Sequence, residues 1–278
     1  HYFYETLQTF KCADLSSFSK FVDVEESAFL PSTLFVANNN VKALSQNVLN
    51  SYLLENNYIG LAATAMNSVN QIKFLERYSN EISADICNTK QLSTSNRTDK
   101  PIVWIGICQS SRMWLEQEEA LIKSINKIKN SHPNAFFIFD GLTCPHYLSS
   151  EIFTLEKCNK ETDLLDSIIK KTSISKSDYL SIIGAHAIEK ISLSQEIDFF
   201  ISDALTDSTW PAAFGKKPGV AYAIQRAKIV HLHPMTTFIP KDKIIEMGDG
   251  TGNWARVSFS INPDFFSDFI LEQLNEII

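Results

Sequence analysis

Positive charge is scarce in this chain: 25 Lys and Arg stand against 32 Asp and Glu, for a net charge of -7. That balance excludes a broad nucleic-acid footprint, which needs a basic face to neutralise phosphates, so any phosphate must be held locally. Long apolar runs are also missing. None approaches the roughly 20 residues that span a bilayer, and the opening HYFYETLQTF lacks the basic-then-apolar order of a signal peptide. At most peripheral membrane association is expected. The five cysteines (Cys12, Cys87, Cys108, Cys144 and Cys158) form no C-x-x-C pair, and their odd number and scatter point to reduced thiols in a cytoplasmic setting. No internal repeat is visible. The chain opens on His1 rather than methionine, so a further segment is expected ahead of it.

What is present is ordinary globular material. A chain of 278 residues with 44% hydrophobic content can bury a large core and suits one large domain or two lobes. From Pro101 onward, apolar strand-like runs alternate with helical patterns: IVWIGI (102–107), FFIF (136–139), YLSII (179–183), DFFIS (198–202), GVAYA (219–223) and KIVHLH (228–233). Short runs of this kind, buried on both faces, predict a parallel sheet. Between the first two lies WLEQEEALIKSINKIKN, with Leu115, Leu121, Ile122, Ile125 and Ile128 at helical spacing, acidic at its start and basic at its end. The next crossover carries Leu164, Leu165, Ile168 and Ile169 on one side. Repeated β-α-β units predict a Rossmann-like layer with ligands at the carboxyl ends of its strands. At the end of the chain, Asn262 and Pro263 mark the cap and first position of a closing helix.

Residues 1–99 read differently. Two or three amphipathic helices, including 41–54 and 70–82, surround one clear strand, TLFVA (33–37), and the polar run 88–101 reads as an exposed linker. The expected organisation is a smaller helix-rich lobe over 1–99 and a Rossmann-like lobe over 100–278.

Several polar groups fall at the strand exits. Phe199 to Tyr222 reads as strand, polar loop, helix start and strand, which places Asp207, Ser208 and Thr209 at a helix N-terminus, where unsatisfied N–H groups and the dipole favour a phosphate. The alternative for these residues is a plain N-cap. After the first strand come Gln109, Ser110, Ser111 and Arg112, donors ending in a guanidinium able to fork onto phosphate or to pair with Glu116. Asp140-Gly141 follows the second strand and either reaches the site or makes a turn, the turn being the simpler reading. His186 follows the third, either as a structural hydrogen-bonder or facing the same cleft. Lys216 and Lys217 follow the anion-binding helix, where they add charge or merely solvate its end.

This order of elements resembles the carboxy-terminal, nucleotide-sugar lobe of two-lobed Rossmann-type (GT-B-like) glycosyltransferases, and is distantly similar to the bacterial heptosyltransferase family. The donor loop of that family is matched by Asp207, Ser208, Ala212, Ala213, Gly215, Pro218 and Val220. Thr209 and Trp210 stand where the family has Gly and His, and an additional lysine precedes the proline. The resemblance implies transfer of a sugar from a nucleotide-sugar donor to a bacterial surface-glycan or lipid-linked acceptor. Its implied donor site is Gln109, Ser110, Ser111, Arg112, His186, Asp207, Ser208, Thr209, Lys216 and Lys217. It implies no metal and no cofactor, because helix N–H groups and cations neutralise the leaving diphosphate. The absence of a convincing Asp-x-Asp motif, of H-E-x-x-H and of a nucleophile elbow agrees. No catalytic base is identified. His186 is one candidate, while Glu5, Asp14, Asp23, Glu25 and Glu26 read as solvated surface.

Two further signals are weaker. His231-Leu232-His233-Pro234 resembles the His-Pro pair of bacterial sialyltransferases, whose acidic-acidic-glycine motif is matched here only by Phe139-Asp140-Gly141; a structural role is the simpler reading. Gly248 to Asn253 is glycine-rich but does not link a strand to a long helix, so it reads as a turn or a closing loop. The same architecture serves nucleotide-sugar epimerases, and a non-catalytic Rossmann-like module that binds a partner protein also fits.

Overall fold

The structure, a computed structural model, describes residues 21–24, 41–44, 100–109, 113–204, 208–223, 235–247 and 257–278. In the first hundred residues it shows two short strands, β1 (Phe21–Val24) and β2 (Val41–Leu44), paired in parallel with Phe21 opposite Val41. The helix expected over 41–54 therefore does not begin at Val41: the segment VKAL is held extended by its pairing with FVDV, and tertiary pairing overrides the helical spacing. The expected strand 33–37, the helix 70–82 and the linker lie outside the described residues.

The rest of the chain builds around β3 (Ile102–Gly106), β4 (Phe136–Asp140), β5 (Tyr179–Ser181), β6 (Phe199–Asp203), β7 (Gly219–Tyr222) and β8 (Thr236–Phe238). These form one six-stranded sheet in the order β5-β4-β3-β6-β7-β8, and every pairing is parallel. Strands β3, β4 and β6 are buried along their whole length, as expected where helices cover both faces. The sixth strand is Thr236–Phe238, C-terminal to the expected 228–233, which lies outside the described residues.

The helices pack on the two faces of the sheet in two groups. One face carries α1 (Gln117–Ser131), preceded by Glu116, and α3 (Asn159–Lys171), which follows the short α2 (Ser150–Lys157). The terminal helix α5 (Pro263–Ile277) packs along α1 through Phe266, Ile270 and Leu274, and its Asn262 side chain accepts from the Phe265 N–H at 3.0 Å, as its cap sequence predicts. Lys123–Asp264 at 2.8 Å and the Lys127–Asp268 pair tie the two helices together at the surface. The opposite face carries α4 (Ala187–Ser194) and a six-residue π-helix, Thr209–Phe214. These two meet closely: Gln195 Nε2 donates to the Phe214 carbonyl at 2.9 Å, and a Cβ on Gly215 would lie 2.4 Å from the Ser194 carbonyl oxygen.

One further element was not expected from the sequence. An antiparallel hairpin, β9 (Ile244–Met247) with β10 (Ser258–Ile261), pairs through Phe259 with residues 113–115: Leu115 N–H donates to the Phe259 carbonyl and Phe259 N–H to the Met113 carbonyl, both at 3.0 Å. Its inner side closes an aromatic cluster in which the rings of Trp114 and Phe266 are 4.5 Å apart and those of Trp114 and Tyr222 are 5.0 Å apart. Glu116 is committed to this arrangement, accepting from the Ser260 hydroxyl at 2.7 Å and the Ile261 N–H at 3.3 Å.

Candidate functional site

The chain leaves β3 towards β4 on one side and returns to β6 on the other, so the strand order reverses between β3 and β6. A crevice opens at such a switch point beyond the carboxyl ends of the two strands. Gln109 lies at the β3 exit, and Ser208 and Thr209 at the β6 exit.

At the β3 exit a string of side chains runs inward. Gln109 Nε2 donates to Gln117 Oε1 at 3.1 Å, and the buried Gln117 donates through Nε2 to the Tyr222 hydroxyl at 3.3 Å. Gln109 is thus braced against the first turn of α1 and the end of β7. Ser110, Ser111 and Arg112 lie outside the described residues, as does Asp207.

At the β6 exit the Ser208 N–H donates to the Asp203 carbonyl at 3.2 Å. The helix predicted to start here is the six-residue π-helix: Ala212 N–H reaches the Ser208 carbonyl at 2.8 Å, and Gly215 N–H reaches back five residues to the Trp210 carbonyl at 2.8 Å. So short a helix develops little of the macrodipole invoked from the sequence, and charge neutralisation here would fall chiefly to side chains. Ser208 and Thr209 are buried, at 1% and 2% exposure, and the Ser208 hydroxyl has no hydrogen-bond partner among the described residues.

Lys216 and Lys217 are not part of this cluster. Parallel strands require the chain to return to the amino edge of the sheet before starting again. Both lysines lie on that return, just ahead of Gly219, which pairs with Phe200 near the start of β6. They sit at the opposite end of the strands from Ser208. Lys216 adopts φ 53°, a left-handed conformation that closes the turn into β7.

His186 caps α4 after β5. Its N–H donates to Glu189 Oε2 at 3.3 Å, its Nδ1 is buried without a hydrogen-bond partner among the described residues, and its backbone bridges to Cys144 beyond β4. The His146 ring is 6.1 Å from that of His186 and 4.9 Å from that of Tyr147. His146 and Tyr147 were not singled out from the sequence, although a histidine just beyond a core strand is the same signal that marked His186. The β4 and β5 exits therefore form a second cluster, separated from Ser208 at sheet level by two and three strand spacings, about 10 and about 14 Å. No single phosphate could contact both.

Burial pushes the Cys144 thiol up to about 11, with Glu189 adding to the shift, and the Cys158 thiol up to about 11, with Glu161 adding. Both are protonated at neutral pH and poor nucleophiles. Asp140 ends β4 facing α4 and forms a 2.5 Å ion pair with Lys190, the two side chains being 1% and 0% exposed. Burial raises the carboxyl above its ordinary range, opposed by Lys190, by the Gly141 N–H at 2.8 Å and by the neighbouring Trp104 indole. An acid so enclosed is not placed to deprotonate an acceptor. Among the described residues no group of three or more His, Cys, Asp or Glu could hold a metal ion, and no helix is long and apolar enough to cross a membrane.

The strand order and its switch point define a doubly wound, Rossmann-like α/β protein. Its likeness to known structures is distant. It is similar to ADP-heptose LPS heptosyltransferase II from E. coli at 14% identity and a TM-score of 0.42, over 70% of this chain and 50% of that one. It is also similar to a glycosyltransferase of family 9 from Veillonella parvula at 9% identity and a TM-score of 0.43, over 98% of this chain and 78% of that one. The chain thus spans about half the length of the heptosyltransferase it matches. No protein-family model and no curated protein matches it.

Proposed function

We propose that this chain is a glycosyltransferase that binds a nucleotide-sugar donor at the carboxyl ends of β3 and β6 and transfers the sugar to a glycan or lipid-linked acceptor. The observation that carries the reading is the coincidence of the topological switch point with the donor loop read from the sequence: both fall on Ser208 and its neighbours, where a buried hydroxyl has no partner among the described residues. In this reading Arg112, three residues after Gln109 in the sequence, neutralises the diphosphate. The reaction proceeds without metal, since leaving-group charge is met by a guanidinium and backbone N–H groups. Transfer takes place on the cytoplasmic side, with at most peripheral contact with a membrane, and the residues over 1–99 supply the acceptor side.

The locked Asp140 favours a second reading, a nucleotide-binding module without catalysis, because the acid that ends β4 is withdrawn into an ion pair. The experiment is a thermal-shift and calorimetric titration with UDP, GDP, ADP and CMP and their sugar derivatives, with and without EDTA. Stabilisation by at least one, unchanged by chelator, is expected. No response to any of them at millimolar concentration refutes donor binding, and binding without sugar turnover in the presence of candidate acceptors favours the module.

A further inference from the structure

The amino group of Lys190 lies inside the protein on the α4 face of the sheet, with no exposed surface. Besides Asp140 it reaches the Gly141 carbonyl at 2.8 Å, the Leu142 carbonyl at 3.1 Å and the Thr143 hydroxyl at 3.0 Å. Four oxygens share three ammonium protons. Two successive carbonyls and the next side chain can converge on one point only if the backbone wraps around it, so the cation dictates the course of the chain as it leaves β4. The loop is then stitched to its neighbour. The Leu142 carbonyl also accepts from the Gly184 N–H at 2.8 Å, and Cys144 N–H donates to the Ala185 carbonyl at 3.0 Å. Lys190 is itself anchored one turn past His186, whose carbonyl accepts from the Lys190 N–H at 3.1 Å.

Stability alone does not account for such a pair. A buried ion pair gains little over apolar residues of the same volume, because both charges must be stripped of water. What apolar residues cannot do is gather carbonyl oxygens.

We propose that Lys190 is a positioning residue: its buried ammonium holds Gly141–Thr143 in the conformation that sets His146 and Tyr147 against His186, and so shapes one wall of the ligand cleft. The functional part of this inference rests on the donor-site reading above. The part concerning loop order does not.

The test uses the full chain carrying Lys190→Met, and Lys190→Met combined with Asp140→Asn. The single variant strands a buried carboxylate and is expected to melt far lower or not to fold. The double variant removes both charges at similar volume, and most of the melting temperature should return. If Lys190 positions the loop, amide exchange across 141–147 in the double variant stays about tenfold faster than in the wild type, while β3 and β6 exchange as before. Affinity for the best nucleotide of the panel falls about tenfold or more, as misplacement of a binding wall by about an ångström predicts. Wild-type exchange in the loop together with wild-type affinity in a stable double variant overturns the inference. So does a double variant melting no higher than the single one, which would make the pair a requirement of folding. If the wild-type chain binds no nucleotide, the donor reading falls, and the exchange measurement alone decides whether Lys190 orders the loop.

Discussion

Gly184→Ala probes the turn that delivers His186. Gly184 adopts φ 77°, and a Cβ built there would lie 1.9 Å from Thr154 Oγ1 and 3.0 Å from Thr154 Cβ. That hydroxyl is already engaged, donating to the Ser150 carbonyl at 2.7 Å, and the Ser150 hydroxyl donates to the Gly184 carbonyl at 2.6 Å, so α2 and the turn are clamped together. Left-handed backbone at a non-glycine residue costs about 1 kcal/mol. Driving Thr154 out of its rotamer and off its acceptor costs about 2 kcal/mol more. Gly184→Ala should therefore destabilise the protein by about 3 kcal/mol, a fall in Tm of roughly 6 to 12 °C. Thr154→Ala alone should cost about 1 kcal/mol, having lost one side-chain hydrogen bond. In that background the 1.9 Å clash with the hydroxyl is gone and only the tight 3.0 Å approach to the Cβ of residue 154 remains, so the double variant should lie between about 2 and about 3 kcal/mol rather than at the roughly 4 kcal/mol of strict additivity. Denaturant unfolding of the four proteins measures the cycle. An additive result would mean that Thr154 does not obstruct the new methyl, and the argument from the close approach fails.

The carboxyl of Asp178 is held at about 2, first by the Ser175 hydroxyl and also by Lys129 at 3.0 Å. Because the folded value is depressed, its stabilising contribution is present above about pH 4 and is lost as pH falls through about 2. Asp178→Asn should cost about 1 to 2 kcal/mol at neutral pH and progressively less in acid, and a difference that does not shrink below about pH 4 would exclude this origin. Lys216→Ala and Lys217→Ala should leave nucleotide affinity unchanged because both lie at the amino edge of the sheet, whereas Arg112→Ala should weaken it by about 1.5 to 3 kcal/mol, with Arg112→Lys recovering only part. Calorimetry on the four variants checks the contrast, and an effect from the lysines as large as that from the arginine would displace the site.

The sheet was legible because its strands are short, apolar and bounded by turns: FFIF, DFFIS and GVAYA each fall on an observed strand. The closing helix was legible from its Asn262-Pro263 start. Other elements were not. The π-helix hides because Ser208 to Phe214 has the composition of an α-helix start, and the number of residues per turn is decided by packing against α4. The hairpin β9–β10 is half exposed and short, so its alternation is too brief to stand out. Lys190 reads as a solvated helix residue by type. Its position is the clue, since it lies with Ala187, Ile191 and Ser194 on the stripe that faces the sheet, all four buried.

The sequence grouped its candidate residues by the rule that strand exits share a cleft, and the fold divides them again. Gln109, Ser208 and Thr209 fall at the switch point; His186, joined by His146 and Tyr147, falls at the β4 and β5 exits; Lys216 and Lys217 fall on the far edge. A compact anion would use only the first group. A molecule engaging the first two must extend along the carboxyl edge of the sheet for about 14 Å, with a charged part near Ser208 and a part recognised by rings and neutral polar atoms near His186. That division of charge is what a nucleotide offers. It also concentrates the electrostatic demand. With Lys190 committed to Asp140 and the two lysines beyond Gly215 on the wrong edge, the proposed phosphate contact rests on Arg112 among the cations named from the sequence, in a chain whose net charge is -7. Nucleotide affinity should accordingly fall steeply with salt only while Arg112 is present, and Arg112→Ala should flatten that dependence as well as weaken binding.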